Sequence, residues 1–156
     1  MTASSAPRIE MNVRAKSGWL PSRALLRRWA AAALGARAPR AGISVLIVGP
    51  AASRRLNRTW RGQDHATNVL SFPAPGGSVA DSLGDLVICP AVLRREAREQ
   101  HKSAQAHWAH LVVHGVLHLI GYDHERDHDA QRMERREVRV LHALGIPNPY
   151  RSVREA

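Results

Sequence analysis

Three histidines constrain this chain more than any other feature. They fall in the run His114-Gly115-Val116-Leu117-His118-Leu119-Ile120-Gly121-Tyr122-Asp123-His124. A spacing of four places His114 and His118 on one face of a helix. Gly121 is positioned to end that helix, where a left-handed residue turns the chain and returns His124 over the same face. Three neutral imidazoles arranged this way are a ligand set for one metal ion, zinc first. Three protein ligands leave a fourth tetrahedral position for water, as in a catalytic rather than a closed structural zinc site. Residues 103–124 are therefore expected to form a metal-site helix and turn holding one Zn2+ per chain.

Histidine is abundant here, so each one is weighed. A lone pair at helical spacing is more often surface or core than ligand, and His124 with Gly121 is what changes the balance. His107 and His110 fall on or near the ligand face of the same helix. They are expected behind the ligands or toward solvent. The spacing also matches the metzincin protease pattern H-E-x-x-H-x-x-G-x-x-H at every metal position. Gly115 stands where that pattern has its Glu, the general base of peptide hydrolysis. The sequence keeps the metal cage and lacks the protease base, which disfavours a metalloprotease.

A chain of 156 residues is long enough for one domain with a real core, and residues 1–156 read as a single domain. Residues 1–7 read as a disordered tip. The formal net charge of +10 points to a polyanionic partner, nucleic acid first, against the alternative of an Arg-biased solubility surface. Cys89 is the only cysteine, so no internal disulfide and no Cys-based zinc site can form. A reducing cytoplasm is the simplest setting. No apolar stretch reaches membrane-span length, and the run 24–35 is broken by Arg27 and Arg28. Residues 11–42 are Arg-rich and acid-poor, faintly like a transit peptide, but read better as the first helix of the domain.

The elements follow from pattern and punctuation. Arg8 to Val13 alternates as an edge strand. Pro21 to Leu34 reads as a helix ended by Gly35. Ile43 to Val48 is a buried strand, Ala51 to Trp60 a helix closed by Gly62, and Asn68 to Phe72 a strand stopped by Pro73. Residues 73–82 form a loop, Leu83 to Cys89 a strand, and Ala91 to His101 a helix. Ser103 caps a helix running to Ile120. Asp127 is expected to cap the last helix, which ends at Gly145 and buries Met133, Val140, Leu141 and Leu144. The fold class is α+β or mixed α/β: a small central sheet of about four strands with packed helices and a helical C-terminal part.

Basic residues fall in helical stripes: Arg54, Arg58 and Arg61; Arg94, Arg98 and Lys102; Arg132, Arg135, Arg136 and Arg139. Together they offer one RNA groove, although Glu96, Glu99, Glu134 and Glu137 offer intrahelical ion pairs instead. Trp60, Phe72, Trp108 and Tyr122 are the aromatic candidates for base stacking, each read first as core.

These residues carry a specific resemblance. Leu56-Asn57-Arg58-Thr59-Trp60-Arg61, Thr67-Asn68-Val69-Leu70-Ser71-Phe72-Pro73, Leu83-Gly84-Asp85-Leu86-Val87-Ile88 and His114 through His124 are similar to the YbeY family of bacterial rRNA-maturation endoribonucleases. Met133 with Glu137 also fits, so the resemblance spans roughly residues 56–145. It implies a zinc-dependent endoribonuclease specific for single strands, cytoplasmic, acting in 16S rRNA 3′-end maturation and ribosome quality control. The implied partners are single-stranded RNA, the 16S rRNA precursor and the small ribosomal subunit, with no DNA and no membrane. The resemblance carries over His114, His118 and His124 as metal ligands and Arg61 as the functional basic residue beside the metal. Asn68 stands where many relatives have Asp, and Ala66 where many have Pro. Metal-assisted phosphodiester cleavage follows, with Arg61 on the phosphate. Asp85 and Asp123 are the candidates for the base, and Asp123 alternatively orients a ligand histidine. The nucleophile is either water or the RNA 2′-OH. The rival to an enzyme is a non-enzymatic RNA-binding assembly factor with structural zinc.

Overall fold

The computed structural model describes residues 7–75 and 82–151. The disordered tip expected over residues 1–7 falls outside the described residues except at Pro7, which is buried. Most of the expected 73–82 loop, residues 76–81, also lies outside them.

The chain runs β1 (Arg8–Val13), α1 (Arg23–Leu34), a 3-10 helix (Gly35–Arg40), β2 (Gly42–Ile47), α2 (Pro50–Arg61), β3 (Val69–Pro73), β4 (Ser82–Ile88), α3 (Pro90–Glu99), α4 (Ala104–Leu119) and α5 (Asp127–Ala143). The four strands form one mixed sheet in the order β1-β2-β4-β3. β1, β2 and β4 are parallel, and β3 closes the other edge antiparallel to β4. This is the expected architecture: a small sheet, packed helices and a helical C-terminal part.

Strand alternation divides the core in two. Ile43, Val45, Ile47, Leu86 and Ile88 face α1 and α4 and pack with Leu26, Trp29 and Trp108. Leu46, Leu70, Phe72 and Val87 face the other way, beneath Leu56 of α2. α4 is the central helix. Ten of its residues are buried, including Leu111, Val112, Val113, Val116 and Leu117. A helix so apolar around its circumference is stable only when surrounded. Its single polar stripe is the file His107, His110, His114 and His118.

Most elements begin or end within one or two residues of the sequence pattern, and two of the shifts have a clear local cause. α1 starts at Arg23 because the Ser22 side chain accepts from the Leu25 N–H at 3.1 Å, which leaves Pro21 outside the helix. The last helix is not capped by Asp127. Arg126 occupies the cap position in extended conformation, and Asp127 is the first helical residue. There Asp127 and Asp129 place negative charge in the first turn, where the helix dipole favours it. Ser103 does cap α4, accepting from the Ala106 N–H at 3.0 Å.

Candidate metal centre and its cleft

α4 delivers His114 and His118 one turn apart. The helix then ends, and Gly121 takes a φ of 104°, a conformation that costs glycine little. The turn is held by the Asp123 carboxylate, whose Oδ1 accepts from the backbone N–H of His124 at 2.7 Å and of Glu125 at 3.2 Å. His124 is thereby folded back onto the helix. His118 Nε2 lies 3.1 Å from His114 Nε2 and 2.9 Å from His124 Nδ1. The three side chains converge as one donor set.

The outward nitrogens fix the tautomers. His114 Nδ1 is 2.6 Å from Glu137 Oε1, and His118 Nδ1 is 2.9 Å from the Tyr122 carbonyl oxygen. Burial acts to raise the Glu137 carboxyl, but hydrogen bonds from His110 and His114 outweigh it and hold the group well below the usual carboxylate range. Glu137 is thus an acceptor only, and His114 must carry its proton on Nδ1. The Tyr122 carbonyl imposes the same choice on His118. Burial, then the neighbouring His114 and His124, push His118 down to about 4, so it is neutral at pH 7.

With the proton of each neutral ring on Nδ1, the two Nε2 atoms present lone pairs to each other at 3.1 Å. Two lone pairs at that distance repel unless a cation lies at their focus. Zinc–nitrogen bonds of about 2.0–2.1 Å in tetrahedral geometry place ligand nitrogens about 3.3 Å apart, close to the spacing found. The donor set fits a zinc ion.

Behind the histidines lies a buried polar network. Glu137, with 0% exposure, also accepts from His110 Nε2 at 3.0 Å and from the Tyr150 hydroxyl. Burial and the Glu137 carboxylate both push the Tyr150 hydroxyl up, so it remains a donor. His107, one turn before His110, meets Glu96 Oε1 at 2.9 Å. Asn68 Nδ2 donates to the same oxygen at 2.9 Å. A carboxylate at position 68 would instead face Glu96, so the amide suits this neighbourhood.

A cleft of about 420 Å³ opens over the centre, lined by Arg61, Ser71, His114, His118, Asp123 and His124 among others. Arg61, the last residue of α2, is brought there by contacts with β3. Its Nη2 donates to the Ser71 carbonyl at 2.8 Å, and its guanidinium lies 5.3 Å from the Phe72 ring centroid. Asp85 lies elsewhere. It is exposed and neighbours Leu86, so strand alternation puts it on the sheet face opposite α4. Gly115 packs against the sheet, where an added Cβ would stand 2.8 Å from Leu86 Cδ2. The position of a protease base is thus pressed against β3 and β4, with no room for a side chain without displacing Leu86.

The basic stripes do not merge into one groove. Arg54 is tied to Asp64 by two contacts at 2.8 and 3.0 Å, and Lys102 donates to the Pro149 carbonyl at 2.7 Å. The α5 stripe splits, with Arg132 and Arg136 lining one cleft and Arg135 and Arg139 another. Trp60 is not core. It is 62% exposed in the last turn of α2, with its ring edge-on to Phe72 at 6.2 Å. Trp108 is core, as read from sequence. Among the residues of the centre, Tyr150 carried no sequence signal, since it reaches Glu137 only through the folded tail after α5.

Fold and site together define a mixed α/β protein in which three histidines that could hold a metal ion converge beside a cleft that receives Arg61. The chain belongs to the YbeY family: the family model described as Endoribonuclease YbeY matches residues 21–145. Relatives named Endoribonuclease YbeY include one from Alkalilimnicola ehrlichii, 51% identical over 97% of this chain and 98% of its own. Another, from Methylococcus capsulatus, is 51% identical over 90% of this chain and 94% of its own. A solution structure of a Thermotoga maritima protein superposes with a TM-score of 0.56 at 25% identity, covering 88% of this chain and 91% of that one.

Proposed function

We propose that this chain is a zinc-dependent endoribonuclease that cleaves single-stranded RNA, with His114, His118 and His124 holding one zinc ion. The observation that carries the reading is the convergence of three histidine nitrogens, two of fixed tautomer, on a cleft that also receives Arg61. Family membership supplies the reaction class, because the relatives are named endoribonucleases. The finer setting follows from the same kinship: 16S rRNA 3′-end maturation, ribosome quality control, a small-subunit partner and the cytoplasm. Among the described residues no helix is long and apolar enough to cross a membrane.

The chemistry a zinc ion supplies in such a site is Lewis-acid polarisation of a phosphoryl oxygen or a water. The chain's own groups do the rest. Arg61 is already oriented by the Ser71 carbonyl and the Phe72 ring, so little entropy is lost when its remaining N–H donors meet a phosphate. Those donors then stabilise the charge that develops on the phosphoryl oxygens. Glu137 and the Tyr122 carbonyl hold the imidazoles in the ligating tautomer. Asp123 shapes the turn and lines the cleft, and is the carboxylate placed to accept a proton there. Asp85, on the opposite sheet face, takes no part.

The test is incubation of zinc-loaded and metal-stripped protein with single-stranded RNA, duplex RNA and an unstructured peptide. Cleavage confined to single-stranded RNA and to the zinc-loaded form is expected. RNA binding without cleavage by the loaded form would favour an assembly factor with structural zinc. Peptide cleavage would favour a protease.

A further inference from the structure

A second cleft, of about 400 Å³, meets the first at Asp123, which lines both. Its charged wall is Arg37 from the 3-10 helix, Arg132 and Arg136 from α5, and the carboxylates Asp123 and Asp129. Arg132 and Arg136 are four apart and share a helix face. Arg132 is positioned by the Tyr122 ring, 5.6 Å from its guanidinium, and Arg37 by a 3.5 Å contact to the Ile120 carbonyl. Among the described residues none of the three arginines forms an ion pair, although two carboxylates share the cleft. Asp123 is turned toward the backbone N–H groups of His124 and Glu125. Elsewhere on the surface Arg54 does take a carboxylate partner, Asp64.

Three arginines without acidic partners around a cavity of nucleotide size are a recognition site for phosphate oxygens. We propose that this cleft binds the phosphodiester backbone of the RNA strand whose scissile phosphate lies at Arg61, so that the strand crosses the turn at Asp123. The inference rests on the endoribonuclease reading and adds the path of the substrate. The Asp123 carboxylate repels phosphate, so successive phosphates fall on either side of it.

The test measures affinity of the full chain for a single-stranded RNA 12-mer across about 50 to 200 mM salt. Wild type is compared with Arg132→Gln/Arg136→Gln and with Arg135→Gln/Arg139→Gln, which removes the same charge from the neighbouring cleft. Each lost phosphate contact lowers the slope of log K against log salt by about 0.7, so the first variant should lose about 1.4 and the second less than half of that. Equal losses in both variants, or none in the first, would overturn the proposal. Displacement of the 12-mer by inorganic phosphate or polyglutamate at equal charge would overturn it in favour of a small-anion or acidic-protein site. A wild type that cleaves RNA while Arg132→Gln/Arg136→Gln keeps the full slope sinks the second cleft alone. A wild type that binds and never cleaves, with the slope difference present, sinks the endoribonuclease reading and leaves the strand path standing.

Discussion

His114 Nδ1 lies 2.6 Å from Oε1 of Glu137, a carboxylate with no solvent exposure, and this contact decides which nitrogen of His114 faces the cleft. Glu137→Gln preserves volume but removes the charge and leaves fewer acceptor sites for His110, His114 and Tyr150. The outer partner of a ligating histidine typically contributes about 10- to 100-fold in metal affinity. Zinc affinity of Glu137→Gln, measured by competition with a chelator, is expected to fall by that factor with helical content retained. Unchanged affinity would show that the tautomer is fixed by other means.

Arg61 reaches the cleft from a helix end, and its guanidinium touches the Ser71 carbonyl and the face of the partly buried Phe72 ring on the edge strand. Arg61→Ala is expected to keep its zinc and its melting temperature and to lose about 100- to 1,000-fold in turnover at saturating RNA. Arg61→Lys should recover little, since an ammonium cannot reproduce the planar two-point contact. Arg58→Ala, whose parent side chain lies 3.8 Å from Asp64, serves as the control. Wild-type turnover in Arg61→Ala would remove the arginine from the mechanism.

Gly115 is fixed by packing. Its added Cβ would stand 2.8 Å from Leu86 Cδ2 and 3.3 Å from Ser71 Oγ. Gly115→Ala is expected to destabilise by about 1–3 kcal/mol, the usual range for overpacking a core. Chemical denaturation measures it. A stability gain, as helix propensity alone would give, would show that α4 can retreat from the sheet.

Glu96 gives a pH dependence of stability. Burial acts to raise its carboxyl, but hydrogen bonds from His107 and Asn68 outweigh it and hold the group below its ordinary 4.5. A carboxyl lowered on folding contributes stability that is complete above the unfolded value and is lost as pH falls through the folded one. The loss therefore sets in near the ordinary value of 4.5 and grows as pH falls below it. Glu96→Gln should show a shallower acid limb than wild type in melting temperature against pH. Parallel acid limbs would contradict the assignment.

Local signals were legible and long-range ones were not. The spacing of His114 and His118, the cap at Ser103 and the reversal at Gly121 are each decided within one or two turns of chain, and the structure follows them. The β-branched apolar run from Ile43 to Val48 marked a buried strand, although nothing local states that β2 lies parallel between β1 and β4. The 3-10 helix after Gly35 escaped notice because Gly35-Ala36-Arg37-Ala38-Pro39-Arg40 has no apolar period to read. Asp127 looked like a cap by residue type, yet the chain leaves the metal turn with Arg126 extended, which shifts the helix start by one residue. Tyr150 meets Glu137 only because the tail folds back over α4 and α5.

The most direct measurement titrates metal-stripped protein with zinc while following cleavage of single-stranded RNA. Activity is expected to rise from near zero to a plateau at about one equivalent per chain, and to stay near zero in His114→Ala/His118→Ala. Full cleavage by the stripped protein, or an equal plateau in the double variant, would contradict the assignment of the three histidines as the site of the catalytic metal.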